Sequence, residues 1–140
     1  MRLLRLAAAV PLVLALAACG GADEPPADEP DEPAPATVLD VTVWPTGRDG
    51  EKRSATLTCD PVGGTHPRAD AACAALAEAP GALEDVPADL LCTQQYGGPQ
   101  YAEVRGTVAG EPVSTALGRQ NGCEIARWNA LRPLLDIEDG

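Results

Sequence analysis

Apolar and polar residues alternate along Val38-Leu39-Asp40-Val41-Thr42-Val43-Trp44, which puts Leu39, Val41 and Val43 on one face. That period predicts a β-strand, stopped by Pro45 and Gly47. Ala55, Leu57 and Cys59 alternate in the same way and predict a second strand. The period then lengthens. From Arg68 to Ala79 the chain is alanine-rich, with Cys73, Leu76 and Ala77 at helical spacing, and Pro80-Gly81 ends the helix. Tyr101 to Thr107 and Pro112 to Leu117 read as a hairpin turning near Ala109-Gly110. Asn121 suits the cap of a short helix from Cys123 to Leu131, with Ile125, Trp128 and Leu131 on one face. Trp44 and Trp128 are expected in the core, with a place on a dimer face as the alternative for Trp44. These elements predict an α+β fold, an antiparallel β-sheet covered on one side by two helices.

Upstream of Val38 the pattern changes character. Arg2 and Arg5 precede an apolar run from Leu6 to Leu16, too short to span a bilayer comfortably but suited to an export signal. Leu16-Ala17-Ala18-Cys19-Gly20 looks like a bacterial lipobox, which would place a lipid on Cys19 after cleavage before it. Ala15-Leu16-Ala17 also satisfies an ordinary secretory cleavage pattern, so simple secretion is the alternative. Two acyl chains on one glycerol would hold the protein firmly, where one chain holds it only marginally. Ala22 to Ala36 contains five prolines and six carboxylates and no aromatic residue. Such a stretch cannot bury enough surface to offset backbone ordering and is expected to be a disordered spacer. At about 3.1 Å per residue it reaches up to ~50 Å. Three segments follow: 1–18 as signal, 19–36 as Cys19 plus linker, and 37–140 as one folded domain. The chain is expected on the outer face of a bacterial cytoplasmic membrane, or secreted.

The charge is strongly acidic but unevenly placed. The formal net charge is −11, and without Arg2 and Arg5 it is −13. Six acids lie in the linker, so the domain carries −7. That argues against nucleic acid as a partner, since nucleic acid requires basic patches. Cys59, Cys73, Cys92 and Cys123 form an even set in an exported chain, which predicts disulfides, and spacing alone allows three pairings. Cys19 is the odd cysteine, which favours lipidation over a free thiol. With no Cys-x-x-Cys and His66 the sole histidine, no zinc site or other metal is expected, and no cofactor. His66, between Thr65 and Pro67, reads as a structural residue in a turn. Ser54 and Ser114 lack a nucleophile elbow, and Gly97-Gly98-Pro99 reads as a turn and not a phosphate cradle. Nothing here assembles a catalytic triad, so no enzyme is expected.

Five segments carry a more specific signal: Leu57-Thr58-Cys59-Asp60-Pro61, Gly64-Thr65-His66-Pro67, Ala72-Cys73-Ala74-Ala75-Leu76, Cys92-Thr93-Gln94-Gln95-Tyr96-Gly97-Gly98-Pro99 and Asn121-Gly122-Cys123-Glu124. Together they resemble the Streptomyces subtilisin inhibitor family, over about Val38 to Leu135. The resemblance implies the pairings Cys59–Cys73 and Cys92–Cys123. It is compatible with a helix lying on the sheet so that Cys73 meets Cys59 at a strand end. It implies a substrate-like inhibitor of secreted serine proteases, with Gln94–Gln95 as the reactive bond and Gln94 in the primary specificity pocket. Leu91, Cys92 and Thr93 would lie along the enzyme before that bond, and Tyr96 and Gly97 after it, with Arg119 and Asn121 as loop support. It also implies homodimers, although no dimer surface is legible in the residues.

Gln94 departs from the Lys or Met that family members often carry at this position. A trypsin-like pocket holds a buried carboxylate, and leaving it unpaired costs on the order of 2–5 kcal/mol. Subtilisin-like pockets are broader and admit an uncharged, linear side chain, so subtilisin-like proteases are favoured over trypsin-like ones. Adjacent Gln94 and Gln95 also resemble acyl donors for transglutaminases. The alternative function is therefore a cell-surface binding module, or a transglutaminase substrate, on the same scaffold without inhibition.

Overall fold

Alternation along β1 (Thr37–Trp44) buries Leu39, Val41 and Val43 and turns Val38, Asp40 and Thr42 the other way, as the sequence pattern requires. A computed structural model describes residues 36–138, and the expectations for the signal, Cys19 and the linker before Ala36 lie outside the described residues. β2 (Arg53–Cys59), β4 (Tyr101–Val108) and β5 (Glu111–Leu117) alternate likewise, contributing Ala55, Leu57, Ala102, Val104 and Leu117 to the same buried face. A two-residue β3 (Gly63–Gly64), not expected from the pattern, pairs with Leu57 and Thr58. The sheet is antiparallel throughout, in the order β3-β2-β1-β4-β5. Its hairpin β4–β5 turns at Ala109 (φ 50°) and Gly110 (φ 80°), a pair of positive φ values that matches the twist of tightly connected strands.

The covering layer is α1 (Ala69–Glu78), a 3-10 turn (Pro80–Leu83), α2 (Gly122–Ala130) and α3 (Arg132–Leu135). The expected α+β class holds, with two corrections to the helices. The second helix ends at Ala130 instead of Leu131, and a third short helix follows, because Leu131 leaves helical geometry (ψ 13°) and Pro133 then opens a new turn. In α1 the buried residues are Ala72, Ala75 and Leu76, while Ala77 is exposed and Cys73 half-buried. The bridge to Cys59 draws Cys73 to the strand end and rotates the helix face by one position. Leu76, Leu83, Trp128, Leu131, Leu134, Leu135 and Ile137 close the core against the sheet.

Trp44 is the third correction. It lies on the uncovered side of the sheet, half-buried, with its ring 5.6 Å from that of Tyr101. It is the eighth residue of β1, and strand parity sends it away from the helices. His66 is buried and wholly structural. Its Nδ1 accepts the Arg68 amide at 3.0 Å and its Nε2 donates to the Leu134 carbonyl at 2.9 Å, which joins the start of α1 to α3.

Candidate functional site

Between the 3-10 turn and β4 the chain crosses the surface in irregular, extended form. Leu91 is 97% exposed and Tyr96 67% exposed. Thr93, Gln94 and Gln95 are exposed, whereas Cys92 and Gly97 are half-buried. Residues 91–100 bear no formal charge in a domain that is otherwise acidic. An exposed, uncharged segment of this kind would ordinarily be mobile, but this one is tied on both sides of its centre.

The ties are made by main chain. The Gly122 amide donates to the Thr93 carbonyl at 3.0 Å, and the Gly97 amide donates to the Arg119 carbonyl at 2.7 Å. Between them lie only Gln94, Gln95 and Tyr96. Just outside the first tie, Cys92 is bridged to Cys123, with Cα atoms 5.5 Å apart. The other bridge, Cys59–Cys73, is remote from this loop in sequence and fastens α1 to β2. Of the three pairings that spacing allows, the structure contains the one implied by the family resemblance.

Why the brace sits where it does follows from α2. Asn121 caps that helix, its Oδ1 accepting the Glu124 amide at 3.0 Å. Its side chain thus serves the helix and reaches the loop only through its neighbours, Gly122 and Cys123. Arg119 supports the loop with its carbonyl. Its guanidinium extends below, donating through Nη1 to Gln100 Oε1 at 3.4 Å, while Nε is buried without a partner.

Three contributors escape sequence reasoning. Helical spacing assigns Ile125 to the core face of α2, but it is only half-buried because it lies beneath Gly97. A Cβ on Gly97 would stand 2.8 Å from Ile125 Cγ1 and 3.2 Å from Arg119 Cβ, so glycine is required by close approach. Gly122 faces Thr93 in the same manner, a Cβ there falling 2.1 Å from Thr93 Oγ1. A glycine directly beside a bridged cysteine is the signal the sequence offers for it.

Arg127 is the third, and the one with least sequence signal. It is 9% exposed. Its guanidinium donates to the Ala82 carbonyl (3.1 Å), the Ala116 carbonyl (3.3 Å), Thr115 Oγ1 (2.8 Å) and the Glu124 carboxylate (3.0 Å). Thr115 passes the chain on, donating to Asp85 Oδ1 at 2.7 Å. A guanidinium withdrawn from water is tolerated only with this degree of pairing. The result locks α2 to β5 and to the 3-10 turn that leads into the loop.

At the loop's root, Tyr101 stacks beneath Arg48, whose guanidinium carbon is 4.0 Å from the ring centre. Burial pushes the Tyr101 hydroxyl above its ordinary pKa; Arg48 opposes the shift and Glu103 adds to it. Ser54 hydrogen-bonds Thr42 on the uncovered sheet face, and among the described residues no cluster of His, Cys, Asp and Glu could hold a metal ion.

The sequence profile described as "Subtilisin inhibitor-like" matches residues 35–121. Subtilisin inhibitor-like protein 1 of Streptomyces cacaoi is 36% identical over 100 residues, covering 68% of this chain and 90% of its own length. The subtilisin inhibitor of Streptomyces violaceus is 34% identical over 127 residues, covering 85% of this chain and 86% of its own. Among solved structures, Streptomyces caespitosus sermetstatin in complex with Bacillus licheniformis subtilisin shares 24% identity at a TM-score of 0.46, over 71% of this chain and 96% of that one.

Proposed function

This chain belongs to the subtilisin inhibitor-like family, and from that premise we propose that it inhibits subtilisin-type serine proteases by presenting Gln94–Gln95 as a substrate that is bound but not lost. The chain is a protease inhibitor and not an enzyme. The observation that carries the reading is the pair of main-chain ties, Gly122 to Thr93 and Gly97 to Arg119, closing on either side of the exposed residues Gln94, Gln95 and Tyr96; within them, the family resemblance selects Gln94–Gln95. Before the bond, exposed Leu91 and Thr93 and half-buried Cys92 would pair with an enzyme in strand-like fashion, and Tyr96 and Gly97 would follow on the leaving side. Because the ties are already formed, little ordering remains to be done on binding. Should the bond be cut, each new end is still held to 119–123, so religation competes with hydrolysis. Gln94, uncharged in an uncharged loop, favours a subtilisin-like pocket over a trypsin-like one. Titration of subtilisin with the oxidised chain from Cys19 onward, followed by mass spectrometry, tests this. Near-stoichiometric inhibition with a trace of cleavage at Gln94–Gln95 is expected. An intact, folded and inert protein would leave the scaffold as a surface binding module, and rapid complete cleavage would show a loop too weakly held.

The same reading extends to where the inhibitor works. The two bridges consume four of the five cysteines and leave Cys19 as the remainder. This supports lipidation at Cys19 after removal of residues 1–18, and attachment to the outer face of the cytoplasmic membrane through the acidic, proline-rich linker. Mass spectrometry of the N-terminal peptide from membrane and medium fractions decides between an acylated Cys19 and a secreted, unmodified chain. Pairing into homodimers is assigned to the uncovered face of the sheet, where Val38 is 43% exposed and Trp44 half-buried. Sedimentation of the oxidised chain reads its stoichiometry.

A further inference from the structure

We infer that the domain is bipolar: it joins the preceding chain at the end of the sheet opposite the Gln94–Gln95 loop, so that it binds a protease while fixed to a lipid surface. The inference rests on the loop being the protease-binding element. β1 runs antiparallel to β4, with Val38 opposite Thr107 and Trp44 opposite Tyr101. The loop feeds directly into Tyr101, and Leu117, opposite Ala102, leads out to the bracing residues 119–122. Pro99 lies against Gly47, just beyond the last residue of β1. Every tie of the loop is therefore made at the Trp44 end of the central strand.

The other end is built for attachment. The Gly110 amide donates to the Ala36 carbonyl at 3.0 Å and the Ala109 amide to Thr37 Oγ1 at 3.3 Å, so the β4–β5 turn clasps the chain as it comes in. Thr37 stands opposite Cys59, whose bridge to Cys73 fastens that corner to α1. Each pole thus has its own disulfide. Seven residue steps of β1 at about 3.3 Å separate the poles by at least ~23 Å. Load applied at Thr37 is also well distributed, since β1 is paired along its length with β2 on one side and β4 on the other.

Cys19 is the single cysteine outside the two bridges, which makes the test direct. The chain from Cys19 onward, which retains every described contact, is coupled through Cys19 to maleimide-bearing phosphatidylcholine vesicles and titrated against subtilisin. Its inhibition constant is expected to stay within twofold of the uncoupled protein. Coupling at the loop pole instead, through Gln120→Cys in a Cys19→Ser background, is expected to weaken inhibition at least tenfold. A tenfold loss through Cys19, or no loss through position 120, overturns the inference. A nitroxide pair at Gln95→Cys and Glu111→Cys, also in Cys19→Ser, is expected to read a separation beyond about 23 Å. A shorter distance overturns the bipolar arrangement whether or not the protein inhibits. Failure of the uncoupled chain to inhibit counts against the inhibitor reading, and the nitroxide distance then decides this one.

Discussion

The Gly97 amide meets the Arg119 carbonyl at 2.7 Å, and that approach is possible because Gly97 has no side chain to strike Ile125. It holds one side of the loop while the Cys92–Cys123 bridge holds the other. Gly97→Ala is expected to push the loop off α2, raising the subtilisin inhibition constant at least tenfold and speeding cleavage at Gln94–Gln95. The fold should lose only about 1–3 kcal/mol, the usual penalty of overpacking. Unchanged inhibition and unchanged cleavage would show that this tie does not brace the bond.

Gln94→Lys is expected to confer trypsin inhibition, since the lysine would pair with the carboxylate of the trypsin pocket. A pairing on the order of 2–5 kcal/mol corresponds to a gain of about thirtyfold or more. The measurement is a trypsin titration of wild type and variant side by side. No gain would mean that Gln94 does not occupy the primary pocket.

Leu91 is the most exposed large apolar side chain among the described residues, at 97%, so the fold draws little stability from it. Leu91→Asp should leave the melting temperature within a degree or two, because surface changes are usually within about 0.5 kcal/mol. Inhibition of subtilisin should fall several-fold, because a carboxylate would then stand where an apolar side chain meets the enzyme. An unaltered inhibition constant would place Leu91 outside the enzyme's footprint.

The two disulfides should separate on mutation. The double change Cys59→Ser and Cys73→Ser is expected to lower stability by about 2–4 kcal/mol while sparing the inhibition constant of the folded fraction. Cys92→Ser with Cys123→Ser should convert the inhibitor to a substrate cut rapidly at Gln94–Gln95. Equal effects of the two pairs on cleavage would refute the division.

Tyr101 supplies a pH dependence of definite sign. Its pKa is raised in the fold, chiefly by burial, above the ordinary 10.0. The unfolded chain therefore loses the phenolic proton first, and the contribution of Tyr101 to stability, complete below pH 10, falls as pH rises through the folded value. The melting temperature of wild type should drop more steeply than that of Tyr101→Phe above that pH; parallel curves would remove the effect.

Strand alternation, the alanine-rich helix and the paired cysteines were legible because each depends on local period or on residue chemistry that a short window contains. The loop around Gln94 and Gln95 was singled out by the family resemblance, through Cys92 and Tyr96-Gly97, and not by any local period. Tertiary structure decided which residues hold it. Ile125 has the spacing of a core residue, and only the approach of Gly97 shows that it supports the loop instead. Arg127 has no such signal, yet four groups from three elements (the 3-10 turn, β5 and α2) converge on it, a convergence with no trace in sequence spacing. The opposition of the two poles has the same origin. Thr37 and the loop are set apart by the antiparallel register of β1 and β4, and register is a relation between distant segments that neither segment encodes alone.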